Sequence, residues 1–556
     1  MKPHEIFTTK DYDIVVAVTF DAINKGLRKL AEADEKFHTM IIEMAFDEEG
    51  DRIGKLYDDW EKVPKNPSNN IPVNTTIRGT YIPTFTVTES GWAVQLGVEF
   101  TSGSAWFRDI FSGNIRPAQD ITGWKWSIPI RVGFAEIRNE SEAGLVPDVV
   151  RNQLEHFTSQ GFLISRIFCD LQNIDLLSTA VAPVATTDPK VQVKDVYKTM
   201  FSTLLTDWLQ DVKKNSARNP YILGYVPSYP SSGDPDVDVP DSLKPIGNTF
   251  NVFFDPASQP RSTLNFILNT KSSALKPGSQ PPTDIFDSSW LSPTDICDGK
   301  MSFSFRSLVE TLVLRTFYDT YVTSIHQQIS GGGIELGVFR LYNEAKSSTG
   351  KGYHFDIYDM QSDPLNKCKT YFDVSFSTTS QGISINITGF ISWDKEKKKH
   401  VTVIGKSETA RAWAGGDMTW EASIPINLHE NDSGSPTLEV LNTSLNPTAI
   451  RTLHDSNGVA KSLDKISDLL GNIIEVGGLL TLFKQSDWLL LGVFGLNFLK
   501  FPNLPTVTGI PLNLALQSWS KSLTTTIILP AGQVYSFKQM TVDPLLGVVS
   551  MLVDYK

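Results

Sequence analysis

The chain repeats itself, and that repeat limits its fold more than any other feature of the 556 residues. Val18-Thr19-Phe20-Asp21-Ala22-Ile23 lies over Phe303-Ser304-Phe305-Arg306-Ser307-Leu308, with Phe20 on Phe305 at an offset of 285. Each stretch runs from apolar alternation into a helical pattern. Pro245-Ile246-Gly247, followed by Phe250 and Val252, lies over Pro530-Ala531-Gly532, followed by Tyr535 and Phe537, again at 285. Between these anchors Trp124–Val132 (WKWSIPIRV) matches Trp420–Leu428 (WEASIPINL) at 296, and Asp207-Trp208-Leu209 matches Asp487-Trp488-Leu489 at 280. One short match arises by chance in a long chain. Four in the same order, with so little drift, mark a tandem duplication.

The expected organisation is a first module over residues 1–280 and a second over 281–556, parted near Pro281–Ser292. The stretch Lys271–Asp284 (KSSALKPGSQPPTD) is rich in Pro, Ser and Gly, as a connecting loop should be.

Short alternation opens each unit: Ile14, Val16 and Val18 in the first, Met301 and Phe303 in the second. A helix follows. Phe20, Ile23, Leu27 and Leu30 recur at spacings of 3, 4 and 3, with Thr19 or Asp21 as the cap. In the second copy Leu308, Val309, Leu312, Val313, Phe317 and Tyr321 make a stripe so broad that other structure should wrap it. Long alternating strands come next: Trp92, Val94, Leu96, Val98 and Phe100, then Trp124, Trp126, Ile128, Ile130, Val132 and Phe134. Phe372, Val374 and Phe376, then Ile383, Ile385 and Ile387, then Trp420, Ala422, Ile424, Ile426 and Leu428 repeat the habit. Such alternation predicts antiparallel strands with one buried face. Pro129 and Pro425, at equivalent places, predict an edge, a bulge or a bend.

Each unit continues with a second helical region, Val191–Val212 and Ser462–Leu482. A final strand closes it, Phe250–Phe254 running on to Leu264–Leu268, and Val534–Phe537 running on to Val548–Val553. The expected fold class is α+β, with a one-faced apolar sheet that must curl around a long apolar helix.

Composition removes several functions. A net charge of −12 and a pI near 5.3 argue against general affinity for nucleic acid or for anionic membrane. Cys169, Cys297 and Cys368 share no CxxC spacing, which excludes a disulfide framework and a structural zinc site. The opening MKPHEIFTTKDYD has no apolar run, so no secretory signal is read there. The most apolar stretch, Trp488–Leu499, has 12 residues, too few to span a bilayer, so at most peripheral membrane contact is expected.

No catalytic set converges, and neither enzymatic activity nor a metal or cofactor is expected. None of the eight histidines stands four residues from another, and His429-Glu430 lacks the second histidine of a zincin motif. Gly405-Lys406-Ser407 ends like a P-loop, but position 400 holds His400 where the motif needs glycine. Asp234–Asp241 clusters four carboxylates without the glycine or closing glutamate of a calcium loop, and reads as an exposed acidic loop. Residues 31–61 carry eleven Asp or Glu against three Lys or Arg and read as a solvated belt. Asp394–His400 (DKEKKKH) is the concentrated positive run, and it joins two strand patterns. Lys397, Lys398 and Lys399 are therefore expected at a hairpin tip, either as an ordinary solvated turn or as a headgroup contact.

A long helix swaddled in a curled antiparallel sheet, written twice, resembles the tubular lipid-binding (TULIP) superfamily. Ser262–Thr270 (STLNFILNT), Pro281-Pro282, Trp290 and Gly299-Lys300-Met301 resemble the OrfX and forty-seven-kilodalton proteins encoded beside some clostridial neurotoxin genes. The opening Tyr12–Lys25 (YDIVVAVTFDAINK) looks like that group's start. The resemblance covers the layout from Tyr12 to Lys556 on short motifs. It implies an apolar groove between helix and sheet, and binding of phosphoinositides or other lipids as in some relatives. It also implies a role in assisting a partner toxin or as a toxic component. On this reading Ile23, Leu27, Leu30, Leu308 and Leu312 line the groove from the helices, and Trp124, Trp126 and Trp420 from equivalent strands. From the residues alone, those tryptophans read first as core packing, with groove lining as the other reading. The expected partner is a lipid or other hydrophobic ligand. A protein of a toxin complex, bound by a scaffold without lipid, is the alternative.

Overall fold

A computed structural model describes residues 12–33, 38–87, 93–109, 111–137, 163–170, 182–185, 191–214, 222–228, 244–270, 291, 295–304, 341–346, 352–357, 366–379, 382–403, 406–430, 436–440, 444–456, 535–543 and 548–555. In chain order the first half runs β1 (Ile14–Thr19), α1 (Phe20–Ala33), β2 (Thr39–Phe46), β3 (Arg52–Leu56), β4 (Thr76–Val87), β5 (Ala93–Trp106), β6 (Gln119–Asp120) and β7 (Lys125–Ile137). It continues with β8 (Leu163–Asp170), β9 (Ala182–Pro183), α2 (Asp195–Lys214), β10 (Ile222–Ser228), β11 (Pro245–Phe253) and β12 (Thr263–Thr270). The second half gives β13 (Gly299–Ser304), β14 (Leu341–Lys346), β15 (Gly352–Ile357), β16 (Asn366–Thr378), β17 (Gly382–Val403) and β18 (Lys406–Glu430). β19 (Pro436–Val440), β20 (Ser444–Ser456), β21 (Tyr535–Asp543) and β22 (Val548–Tyr555) complete it. Among the described residues the architecture is α+β, with three antiparallel sheets and two α-helices.

The repeat is visible in the six-stranded sheet, whose order is β11-β12-β1-β13-β22-β21. Adding 285 to the bounds of β1 gives those of β13, and adding 285 to the bounds of β12 gives those of β22. The ladders shift with them: Ile14 faces Leu268, and Gly299 faces Val553. β1 and β13 pair antiparallel down the middle, Ile14 on Phe303 and Val18 on Gly299, with Val16 opposite Met301. Residues 16 and 301 are themselves 285 apart, so a local two-fold passes through this pair, as in an isologous dimer interface.

The outer strands follow less closely. The ladder sets Pro245 against Thr270 and Tyr535 against Tyr555, an offset of 290 between β11 and β21, so the expected match of Phe250 and Val252 to Tyr535 and Phe537 does not hold: the pairing sets them over Met540 and Val542. β11 bulges between Pro245 and Gly247, whereas β21 bulges between Phe537 and Gln539. The closing strand expected in each unit is in fact a hairpin, β11 turning into β12 and β21 into β22. The first of these turns has a clear cause. Asp255 Oδ1 accepts from the backbone N–H of Ala257 and Ser258, and Pro256 and Pro260 in the same stretch cannot donate to a ladder.

The first half adds a nine-stranded sheet, β10-β8-β7-β5-β4-β2-β3, with β6 on β5 and β9 on β7. The second half adds β14-β15-β16-β17-β18-β19, with β20 on β18. The two prolines have one explanation. Pro129 faces Gln95 on β5, but on its other side β8 pairing begins at Arg131 and β9 pairing ends at Ser127. Pro425 faces Ser384 on β17, while β19 pairing begins at Ile426 and β20 pairing ends at Ser423. Each lies at a local edge where one neighbour strand gives way to another, so its missing N–H leaves no ladder bond unmade.

Inward residues of the nine-stranded sheet (Tyr81, Phe85, Val94, Leu96, Val98, Phe100, Trp126, Ile128 and Ile130) join both helices and the inner face of the six-stranded sheet in one continuous apolar cluster. A flat sheet could not close on two helices in this way; it curls as a half-barrel. The acidic stretch 31–61 is only partly a solvated belt. Glu43 is buried, and its carboxylate accepts from Asn74 Nδ2 at 2.8 Å and from the Tyr57 hydroxyl.

Candidate functional site

α1 begins where Thr19 Oγ1 accepts the Ala22 N–H at 3.1 Å, so Thr19, not Asp21, is the side-chain cap seen at its start. Asp21 pairs with Lys25 on the exposed face, at 2.9 Å. The helix buries Phe20, Ala22, Ile23, Gly26, Leu27, Leu30 and Ala31. Asn24 fixes it to the sheet: its Nδ2 donates to Phe85 O at 2.9 Å, and its Oδ1 accepts from Phe85 N at 2.7 Å. The side-chain amide thus completes β4 where none of the described strands does.

α2 occupies Asp195–Lys214 and overlaps the expected Val191–Val212 region, starting four residues later and ending two later. Phe201 is its centre. Its ring stacks on Trp126 at 4.8 Å and 13°, tilts over Trp124 at 5.2 Å, and meets Phe100 edge-on at 5.5 Å. One end of the helix stacks Tyr197 on Phe107 at 4.4 Å, and the other sets Trp208 edge-on to Tyr81 at 5.6 Å. Tyr197, Phe201, Leu205 and Trp208 recur at helical spacing, a stripe that was available in the sequence.

Ile23, Leu27, Trp124 and Trp126 share the main apolar cluster, and Leu30 is buried near the end of α1. The tryptophans meet α2 directly through Phe201, a residue the sequence reading did not name. The backbone of Trp420 lies in β18, opposite Gly389 of β17. Leu308 and Leu312 lie outside the described residues, as do Trp92, Trp290, Lys271–Asp284, Asp234–Asp241, Ser462–Leu482 and Trp488–Leu499. Lys397, Lys398 and Lys399 are not at a hairpin tip. They pair with Ala412, Arg411 and Ala410 inside the β17–β18 arm, which runs on to Val403 and Lys406. The polar run continues the strand because its neighbour continues too.

Two polar groups mark this interior. Trp126 is fully buried, and among the described residues its indole N–H has no acceptor. Asp207, on α2, lies against the edge strand β3, where only a glycine at position 54 admits the approach: a Cβ there would collide with the Asp207 Cβ. Arg52 Nε stands 3.5 Å from Asp207 Oδ2, close enough for attraction but long for a hydrogen bond. Burial pushes the Asp207 carboxyl up, and Arg52 opposes this. Among the described residues no group of three His, Cys, Asp or Glu is placed to hold a metal ion. Among them, too, no helix is long and apolar enough to cross a membrane.

No protein-family model matches the chain. No curated protein matches it in sequence. Among solved structures, it is similar to P47 of Clostridium botulinum E1 over 98% of this chain and 99% of that one, at TM-score 0.40 and 12% identity. It is similar to a lipopolysaccharide binding protein over the same shares, 98% and 99%, at TM-score 0.27 and 10% identity. The first is a protein of the group that the sequence motifs resemble.

Proposed function

We propose that the protein is a non-enzymatic binder of a lipid or other hydrophobic ligand, built as two TULIP-like modules over residues 1–280 and 281–556. The first module holds its ligand between α1, α2 and the inner face of the nine-stranded sheet. The observation that carries this reading is the Trp126 indole N–H, a buried donor that has no acceptor among the described residues, in an apolar cluster. Such an orphan calls for a partner. A carbonyl or carboxylate at the polar end of an acyl ligand supplies one beside Phe201. The chain of that ligand contributes about 0.8 kcal/mol per buried methylene. α2 is the element that yields, since it packs through rings that an acyl chain can replace. In the second module, an anionic headgroup contact at Lys397, Lys398 and Lys399 belongs to the same reading.

Solvent extraction of the purified full-length protein followed by mass spectrometry tests this. A stoichiometric acyl lipid is the expected result, and its absence after expression in a lipid-replete host sinks the reading.

A second reading, a protein-interaction component of a toxin system, is favoured by Phe111. That ring is 98% exposed. It stands on a turn fixed by Asp109, whose carboxylate accepts from the N–H of Phe111 and Ser112 and pairs with Arg116 at 2.6 Å. An apolar side chain held out on a rigid turn has little ordering entropy left to lose on binding. Phe111→Ser with unchanged lipid content but lost binding of a purified partner would select this reading.

A further inference from the structure

The back of the six-stranded sheet, turned away from the apolar interior, carries a second polar anomaly. Alternation along β12 sends Leu264, Phe266 and Leu268 to the main core. Thr263, Asn265, Ile267 and Asn269 take the other side, where Ile267 packs with Tyr12, Val15 and Ala17. Asn265 is 0% exposed, yet among the described residues neither its Oδ1 nor its Nδ2 has a hydrogen-bond partner. Asn251 stands directly across from it on β11, and its Oδ1 is buried and unpartnered as well. Asn269 Oδ1 and Thr263 Oγ1 share that condition. Native proteins leave few buried polar atoms unsatisfied, and here several gather on one strand pair.

The duplication supplies an internal control. The shift of 285 carries Ala17 to Ser302 and Asn265 to Ser550, which face each other on β13 and β22. Their hydroxyls bond at 2.9 Å. Thr263 becomes Val548, which has no polar side chain to satisfy. Asn269 becomes Asp554, whose carboxylate takes the Lys538 ammonium and the Asp298 N–H. The same face of the same sheet is satisfied from within in one half and not in the other. The fold therefore does not impose the orphans.

We propose that the back of β11 and β12 is a binding site for a neutral, hydroxyl-bearing occupant, either ordered water or a small polyol, centred between Asn251 and Asn265. Thr263 and Asn269 bound it along the strand. The chemistry fits: three amide oxygens need donors, one amide NH2 needs an acceptor, and a hydroxyl offers both. None of the four side chains is charged, so an ion would find no counter-charge among them. The Asp13 carboxylate at the end of the face is taken by the Thr270 N–H and hydroxyl, at 2.7 and 2.8 Å.

A crystal structure of the full-length protein, grown and frozen without polyols, tests the site directly. Density bridging Asn251 and Asn265 is expected. Native mass spectrometry of the same preparation separates the sources, since a polyol adds mass and water does not. Ala17→Ser/Asn265→Ser transplants the second half's self-satisfied pair and is expected to abolish the density. Asn251→Ala, at a partly exposed position, should weaken it even if the double variant does not fold. A parent structure with Asn265 bonded to protein and no density beside it overturns the proposal. Density that persists unchanged in either variant overturns it too.

Discussion

The two flanks of the six-stranded sheet copy each other in their backbone bonds and differ in their side chains. Asp13 N donates to Leu268 O as Asp298 N donates to Val553 O, and Ser304 N reaches Asp13 O as Thr19 N reaches Asp298 O. The Asp13 carboxylate accepts the Thr270 N–H, and the Asp298 carboxylate accepts the Tyr555 N–H. All three pairs are related by 285, and the middle one crosses the local two-fold. Each aspartate is a latch that ties its own half together and holds the other's first strand. Away from these bonds the flanks part. Gly299 faces Val18 so closely that a Cβ would stand 2.5 Å from Ala17 O, whereas its counterpart Ile14 faces Phe303 without difficulty. Asn265 is orphaned where Ser550 is paired. Peptide groups are alike in every residue, so two ladders related by 285 keep them in place. Side chains carry no such constraint, and their divergence is where function can enter.

The comparison can be broken most severely at the axis. Val16→Pro removes a donor from the centre of a strand paired on both sides. The expected outcome is loss of cooperative thermal unfolding in both halves, read by circular dichroism; a second half that still melts normally would mean the halves fold independently. The latches come next. Asp13→Ala should cost about 1.5–3 kcal/mol in urea denaturation, because a buried carboxylate loses charge-assisted bonds. Asp298→Ala should cost less: it also gives up the Lys25 pair, but the lysine there is half exposed and the pair is worth at most about 1 kcal/mol. Equal costs would show that burial does not distinguish the two latches.

The smallest effect concerns a group with no repeat-related partner among the described residues. Burial holds the Asp207 carboxyl above its ordinary 3.8, so its protonated form suits the fold. The stability it contributes is full below that value and falls as pH rises through the raised one. Asp207→Asn should raise the melting temperature at neutral pH and flatten this slope. A steeper slope would mean the Arg52 attraction outweighs the burial.

Much of this was legible in the residues. The 285 offset relates the inner strands, because β1 and β12 alternate on one face without interruption, as do β13 and β22, but it does not carry over to β11 and β21, whose bulges shift their register to 290. The α1 stripe and the Val94–Phe100 alternation were equally plain. The hairpins were missed because apolar residues continue on both sides of the turn, and alternation does not report a reversal of direction. The Asp13 and Asp298 latches work through backbone groups, which leave no pattern beyond two aspartates far apart. The role of Phe201 was hidden for another reason: its spacing says that a face is buried, but not which strands meet it. Lys397–Lys399 misled because a charge run resembles a turn when its partner strand is unknown.

The central claim, a hydrophobic ligand held between α2 and the inner sheet, meets its most direct test in photocrosslinking. The full-length protein would be irradiated with a long-chain fatty acid bearing a diazirine, and the labelled peptides mapped by mass spectrometry. Labels concentrated on α2 around Phe201 and on β5 and β7 around Phe100 and Trp126, and competed away by unlabelled fatty acid, are the predicted result. Labels confined to exposed residues such as Phe111, or unaffected by competitor, would contradict it.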